Sequence, residues 1–226
     1  MHIEPGVVEG AKIIVSYATA AASLGFAVKL AYDNIRSIGS VIPLLLRSTI
    51  TTGLVFSFFQ ILPHHPVGVS EVHLILGSTL LLLFGASATA IGLACGLLLQ
   101  GLFFAPFDLP QYGMNLTTLL VPLFAINLLS KTIIPPSTVY TDVKYSQALA
   151  ISTAYQGGIV LWVAFWAFYG RGFGAENLVS VVTFGAAYMS VVIIEPLVDL
   201  AVLAAAKTLR SACNEMLFET RLHRPA

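Results

Sequence analysis

Residues 72–105 read VHLILGSTLLLLFGASATAIGLACGLLLQGLFFA, an apolar run that contains no Asp, Glu, Lys or Arg. One α-helix crosses the hydrocarbon core of a bilayer in about 20 residues, so this run is too long for a single crossing. The tripeptide Gly85-Ala86-Ser87 permits a tight turn inside it. We therefore predict two membrane spans here, of which the first is short.

The remainder of the chain has the same apolar character. Of its 226 residues, 57% are hydrophobic and only 10% are charged, whereas soluble domains carry about 25% charged residues. We predict one integral membrane domain over residues 1–226, folded as an all-α polytopic bundle of seven transmembrane helices. The expected spans are 11–30, 40–62, 72–85, 87–105, 114–130, 147–169 and 178–206.

The basic residues predict the orientation of the chain, because cytoplasmic segments of membrane proteins are enriched in Lys and Arg. With the N-terminus outside, the outer segments hold only Lys12 and Arg171. An odd number of crossings then places the C-terminal tail in the cytoplasm. The cytoplasmic side holds Lys29, Arg36, Lys131, Lys144, Lys207, Arg210, Arg221 and Arg224. No basic region precedes the first apolar run, so we expect no cleaved signal peptide and a polypeptide that begins at Met1.

Several classes of partner and activity find no support in the sequence. The net charge of zero gives no indication of a nucleic-acid partner. Cys95 lies in an apolar run and Cys213 in a polar tail, so we expect no disulfide and no metal–thiolate site.

The chain lacks His-Glu-x-x-His, Gly-x-Ser-x-Gly and the phosphate loop Gly-x-x-x-x-Gly-Lys-Ser/Thr. We therefore expect no catalytic residues, with ATP hydrolysis in other subunits. A membrane-embedded metalloenzyme and a passive divalent-metal channel remain alternatives.

The predicted topology separates the histidines, which are the commonest side-chain ligands for Zn, Cu, Ni and Co. Four of them lie at the outer face, and His223 lies inside. The outer four are His2, His64, His65 and His73. His64 and His65 can equally be ordinary solvated residues of a loop, and their roles stay open.

His2 has a special position at the start of the chain. The free α-amine, the next amide nitrogen and the imidazole of residue 2 can close adjacent chelate rings on one ion. Three nitrogens in one plane leave a fourth position for another imidazole, a geometry that suits Ni²⁺ or Cu²⁺. Such a site binds poorly at low pH, because its ligands must lose protons.

Four short segments, taken in order, resemble one known family. Met1-His2-Ile3 with Pro5-Gly6, the segment from His73 to Gly77, the segment from Gln100 to Phe104, and Gly113-Met114-Asn115 are similar to segments of the CbiM/NikM proteins. These proteins are the substrate-binding (S) components of energy-coupling-factor cobalt and nickel transporters. The resemblance covers the first 130 residues well and the remainder mainly by hydropathy.

The resemblance implies that Co²⁺ or Ni²⁺ is the transported ligand rather than a catalytic cofactor. The implied metal ligands are the Met1 amine, the His2 amide and imidazole, and the His73 imidazole. The implied partners are a transmembrane coupling (T) subunit and two ATPase subunits, with a small accessory membrane subunit as a further candidate. The implied location is the plasma membrane of a prokaryote.

This chain departs from the family at Glu4-Pro5-Gly6, where many members read Pro-Asp-Gly, and at 105–111, where many have a short Gly-Asp-Gly turn. The sequence does not decide between cobalt and nickel.

Polar residues near the outer face are candidates to orient a ligating imidazole, which usually donates its second N–H to a carboxylate, carbonyl or amide. These candidates are Glu4, Glu71, Gln100, Asp108 and Asn115. Asn115 can alternatively cap the helix that follows, and Asp108 can be a solvated loop carboxylate.

Ionisable residues inside the spans need a partner, because an isolated charge in lipid is costly. Arg47 in the second span lies at a depth similar to that of Asp199 and Glu195 in the seventh. We predict that Arg47 pairs with Asp199 or Glu195 and ties these two spans together. The functional alternative is a proton or ion relay.

Overall fold

The computed structural model describes residues 3–208 and 216–225. Met1, His2, Arg210 and Cys213 therefore lie outside the described residues. The described part contains eight α-helices and one antiparallel pair of short strands. The helices are α1 (Ile13–Ile38), α2 (Ile42–Gln60), α3 (Gly77–Phe84), α4 (Ala86–Phe103), α5 (Tyr112–Ile133), α6 (Tyr145–Arg171), α7 (Ala175–Met189) and α8 (Glu195–Thr208), and the strands are β1 (His65–Val67) and β2 (Ser70–Val72).

Within the residues that the structure describes, six helical segments are long and apolar enough to cross a membrane. They are Gly10–Ile38, Ile42–Gln60, Ala86–Phe103, Pro106–Ile133, Tyr145–Arg171 and Ala175–Thr208. The predicted all-α polytopic bundle is therefore confirmed. α1 extends to Ile38, eight residues beyond the end expected from hydropathy.

The short first half of the 72–105 run does not form a long helix. α3 has only eight residues, about 12 Å of helix, and residues 73–76 before it are irregular, with a positive φ of 56° at Leu76. All eight residues of α3 are buried. Non-helical backbone is tolerated at membrane depth where protein surrounds it, and His73, Ile75 and Leu76 are buried.

Residues 73–85 nevertheless extend from one end of α2 towards the other. The ring of His73, before α3, lies 5.4 Å from that of Phe59. Near the end of α3, the carbonyl of Leu83 accepts a 2.7 Å hydrogen bond from the amide of Glu219, and Glu219 pairs with Arg47. Arg47 and Phe59 are separated by about 18 Å of helix. The stretch 73–85 thus runs from one end of α2 to the other, although its only helix has eight residues.

At Gly85, which has a φ of +82°, the chain reverses and α4 returns alongside α2. The two helices run parallel, since Thr51 donates 2.9 Å to the carbonyl of Ala88 and Val55 packs on Gly96 further along. A side chain at Gly96 would bring its Cβ within 2.7 Å of Val55. The close approach of α2 and α4 therefore depends on glycine at this position.

The two ends of the described chain lie at opposite ends of the bundle. Ile3 lies beside the β1–β2 hairpin, which we call the His73 end. The segment 216–225 lies at the other end, where the ring of Phe218 stacks 5.5 Å from that of Phe84, and we call this the Glu219 end. An odd number of crossings is consistent with this arrangement, while the side of the membrane that each end faces stays a prediction.

Among the described residues, Arg47 does not form the predicted pair with Asp199 or Glu195. Arg47, 2% exposed, lies 3.3 Å from the carboxylate of Glu219, and the two acids on α8 bind hydroxyl and amide groups instead. The C-terminal segment folds back against the bundle, and its Glu219 supplies the negative charge beside Arg47. The prediction compared only the depths of residues within the spans, so it did not include this residue.

The predicted last span, 178–206, is interrupted. α7 ends at Met189, a 3₁₀ turn covers Ser190–Ile193, and α8 begins at Glu195. Pro196 explains the break, because proline lacks an N–H and its ring clashes with the carbonyl of the residue four positions earlier. The break places Glu195 at the first turn of a new helix inside the bundle.

We expect Arg47→Leu to destabilise the protein by about 3 kcal/mol, since it leaves the Glu219 carboxylate without its cation. The exposed, solvent-screened pair of Lys29 and Asp33 provides the control, and Lys29→Leu should cost less than about 1 kcal/mol. Thermal unfolding of both variants in the same detergent measures the difference. Equal unfolding temperatures would show that the Arg47 pair contributes no more than a surface pair.

Candidate metal centre

A two-stranded hairpin builds one wall of the site. β1 and β2 pair antiparallel with His65 opposite Val72 and Val67 opposite Ser70. The two-residue loop begins with Gly68, whose φ is +64°, and glycine in the first loop position is typical of such hairpins. A Cβ at Gly68 would collide with the carbonyl oxygen of Ser180. The hairpin is thus packed tightly on α7.

The N-terminal segment is held against this hairpin from two sides. Ile3, fully buried, forms an antiparallel bridge with Ser70, and the amide of Glu4 donates 3.2 Å to the carbonyl of Val69. On its other side, the amide of Ile3 donates 2.8 Å to the side-chain oxygen of Asn115 on α5. The start of the described chain is therefore fixed three residues from His73 along the hairpin.

His73 follows β2 directly and is 1% exposed. Its ring meets Phe59 edge-on and stacks on the ring of His64, with centroids 4.9 Å apart and planes 5° from parallel. Its Nε2 lies 3.6 Å from an oxygen of Glu71. One ligand atom from each of His64, Glu71 and His73 lies within 4.8 Å of the others. Two imidazoles and a carboxylate at this spacing can bind a divalent transition metal.

His64 is the residue of this group whose role the sequence left open. The hairpin register pairs His65 with Val72, so the next position outward places His64 across from His73. The available signal was Gly68 itself, since glycine in the first position of a two-residue loop is typical of a hairpin, while the flanking segments His65–Val67 and Ser70–Val72 contain only one β-branched residue each. His65 is exposed and is not part of the group, and His223 lies at the Glu219 end.

Asn115 does not cap a helix. α5 begins at Tyr112, and the Asn115 side chain, 1% exposed, instead accepts the hydrogen bond from Ile3. The alternative that it is only a cap is therefore wrong. Its position inside the first turn of α5 gives it a fixed direction towards the N-terminal segment.

Two further candidates lie beside Asn115. Gln100 and Asp108 are 7% and 8% exposed, and with Asn115 they line one narrow pocket next to Tyr112. Asp108 is thus a buried carboxylate and not a solvated one, because the 3₁₀ turn Pro106–Gln111 folds it against α4. Glu4 is half-buried on the N-terminal segment.

These features define a polytopic membrane protein with a nitrogen- and carboxylate-bearing group at one end of its bundle. A family model described as "Cobalt uptake substrate-specific transmembrane region" matches residues 2–213. The chain belongs to this family, as the resemblance predicted, and it is therefore a multi-pass membrane protein of metal transport.

A solved structure supports the same fold. A crystal structure titled as that of a truncated transition metal transporter superposes on this chain with a TM-score of 0.67 at 13% sequence identity. The superposition covers 94% of this chain and 99% of that one. At this identity the likeness shows the fold alone. No curated protein matches the sequence significantly.

We expect Asn115→Leu to release the N-terminal segment, because the buried amide of Ile3 loses its acceptor at a cost of about 1–3 kcal/mol. Hydrogen exchange of the N-terminal peptide, followed by mass spectrometry, should become faster. Asn127→Leu, the same change near the opposite end of the same helix, is the control and should leave this peptide protected. Unchanged exchange in the Asn115 variant would mean that the hairpin alone fixes the segment.

Proposed function

We propose that this protein captures Co²⁺ or Ni²⁺ and serves as the substrate-binding subunit of an ATP-driven energy-coupling-factor transporter. One observation carries the proposal. The N-terminal segment is bound to the same hairpin that carries His64, Glu71 and His73. A chelate that combines the start of the chain with the imidazole of His73 requires the N-terminal segment and the hairpin to lie side by side.

The proposed ligands are the Met1 amine, the His2 amide nitrogen and imidazole, and the His73 imidazole. The length of the two residues that precede Ile3 supports this ligand set. Ile3 is bridged to Ser70, and two extended residues span up to about 7 Å, so the residues before Ile3 can reach the ring of His73. Four nitrogen donors in a plane suit Ni²⁺, and Co²⁺ follows it closely in affinity for such ligands.

The neighbouring polar groups have a positioning role in this proposal. Asn115 holds the backbone of Ile3 and so fixes the direction in which the chelating residues leave the bundle. Glu71, beside His73 Nε2, lowers the cost of placing a divalent cation next to a buried ring. Polar partners of this kind typically change metal affinity by about 10–100-fold.

In the proposed mechanism, the ion is captured at the His73 end, which faces the outside of a prokaryotic plasma membrane. A transmembrane coupling subunit and two ATPase subunits then reorient this chain, which weakens the site and releases the ion inward. A small accessory membrane subunit is a further candidate partner. The orientation is supported by the basic residues, since Arg221 and Arg224 belong to the Glu219 end.

Metal titration of the purified protein with its native N-terminus tests the proposed ligand set. His73→Ala, and separately acetylation of the N-terminal amine, should each weaken Ni²⁺ and Co²⁺ binding by at least about 100-fold, since each removes a ligand from a four-coordinate chelate. If the acetylated protein binds metal as tightly as the wild type, the terminal amine is not a ligand and the proposal fails. ATP-independent metal flux through reconstituted protein would instead favour the channel alternative.

His64 should modulate the same site without being essential to it. Because His64 is exposed and stacks on the buried ring of His73, His64→Ala removes a nearby donor and the ring that covers the site. We expect a loss of affinity of about 10-fold. The adjacent His65→Ala is a matched control, as His65 is exposed and lies outside the group. Equal affinities of the two variants would assign His64 to the ordinary solvated surface.

A further inference from the structure

A second polar cluster lies inside the bundle, apart from the candidate metal centre, where α3, α6 and α8 meet. Glu195 and Asp199, both fully buried, lie one helical turn apart on α8. The hydroxyl oxygen of Ser78 on α3 lies 3.2 Å from a carboxylate oxygen of Glu195 and 2.9 Å from one of Asp199. The remaining carboxylate oxygens contact Thr79, Ser152 and Gln156.

The contacts of Ser78 indicate how many protons the two acids hold between them. A serine hydroxyl carries one proton, so Ser78 can make only one well-aligned donor bond to its two acidic neighbours. The second contact becomes a full hydrogen bond if that acid is protonated and donates to the Ser78 oxygen. If both acids were ionised, they would have to share the single Ser78 proton, with two carboxylate oxygens close to one hydroxyl oxygen. The geometry therefore favours one proton on the pair.

The charge balance leads to the same conclusion. Within the described part of the chain, no Lys, Arg or His nitrogen forms a salt bridge with either acid: Arg47 pairs with Glu219, and Lys207, two turns along α8, pairs with Asp142. The titratable groups that face the pair from the adjacent helices are Tyr155 on α6 and Tyr188 on α7. Both are phenols and bring no positive charge. Two ionised carboxylates at this depth would be very costly.

An independent observation marks the cluster as a binding site. Gln156, fully buried, donates its amide to Glu195 at 2.5 Å, while its amide oxygen has no hydrogen-bond partner among the described residues. The buried hydroxyls of Tyr155 and Tyr188 also have none, and a Cβ at Gly77, next to Ser78, would lie 2.7 Å from the Tyr155 hydroxyl. An amide can donate to a carboxylate or, turned over, accept from a carboxylic acid.

We propose that Glu195 and Asp199 form a proton-binding site that holds one proton, shared through Ser78, and that this proton joins α8 to α3 and α6. The proton comes from solvent water and returns to it. When it is lost, two negative charges face one hydroxyl group, and their repulsion loosens the contact between α8 and α3. Since α8 begins at the Pro196 break, it is joined to α7 by a turn and not by continuous helix.

Infrared spectroscopy of the metal-free protein in detergent tests the proposal directly. At neutral pH the wild type should show the carbonyl band of a protonated carboxylic acid, and this band should shift in D₂O. Ordinary Asp and Glu side chains are ionised at this pH, with pKa values of about 4. The double variant Glu195→Gln/Asp199→Asn should lack the band. The control Glu176→Gln, which changes an exposed acid at the start of α7, should keep it.

Thermal unfolding gives a second readout that does not depend on band assignment. The unfolded chain holds the extra proton less tightly, so wild-type stability should fall as the pH rises from about 6 to about 9, where model carboxylates no longer titrate. Each single variant, Glu195→Gln or Asp199→Asn, replaces an acid by a neutral isostere, should fold, and should lose most of this pH dependence.

Three results would overturn the proposal. They are the absence of the band in the wild type at neutral pH, its persistence in the double variant, and a pH dependence of stability that is equal in the wild type and both single variants. If exchanging choline for sodium, rather than changing pH, raises the unfolding temperature of the wild type alone, the site binds a metal cation and the proton assignment is wrong. All measurements are made without transition metal, so they are independent of the proposed cargo.

Discussion

The anchoring of the N-terminal segment is the constraint on which the candidate metal centre depends. A chain terminus is ordinarily among the least ordered parts of a protein. Here Ile3 is fixed by one hydrogen bond to α5 and by a bridge to the hairpin, and Val7 and Val8 are buried. The Val7 carbonyl lies so close to Gly170 that any side chain there would collide with it. Burial and hydrogen bonding together offset the entropy of ordering the segment.

The same anchoring requires an unusual membrane crossing. His73 follows the hairpin directly, and the chain then enters the bundle as a short irregular segment followed by the short helix α3. Such a path is stable only because α2, α4, α5, α6 and α8 surround it and exclude lipid from its backbone. α3 in turn carries Ser78 and Thr79, which contact the acids of α8. One short segment thus links the surface histidine cluster to the interior acid pair.

The long helices were predictable from the sequence, because the thickness of the bilayer sets the length of an apolar run that crosses it. The turn at Gly85 was also predicted, from the tripeptide Gly85-Ala86-Ser87. Asn115 and Gln100 were proposed because they are polar residues near the predicted outer face, but the contact of Asn115 with Ile3 depends on the rotation of α5, which hydropathy does not determine. His64 was missed because its pairing with His73 depends on hairpin register, which a short loop determines. The partner of Arg47 was missed because Glu219 lies in a polar tail, and hydropathy contains no information on where such a tail folds.

The two polar clusters differ in ligand chemistry, and this difference bears on how an ion leaves the site. The group at the His73 end offers imidazole nitrogens, which late divalent transition metals prefer, whereas the acid cluster offers carboxylate, hydroxyl and amide oxygens. An ion that moved inward past α3 would exchange nitrogen ligands for a tightly packed oxygen set whose acids already need a proton. The described residues along this route therefore offer no graded series of similar sites. Release by reorientation of the whole subunit, as proposed above, would avoid this exchange and is compatible with the burial of every residue of α3.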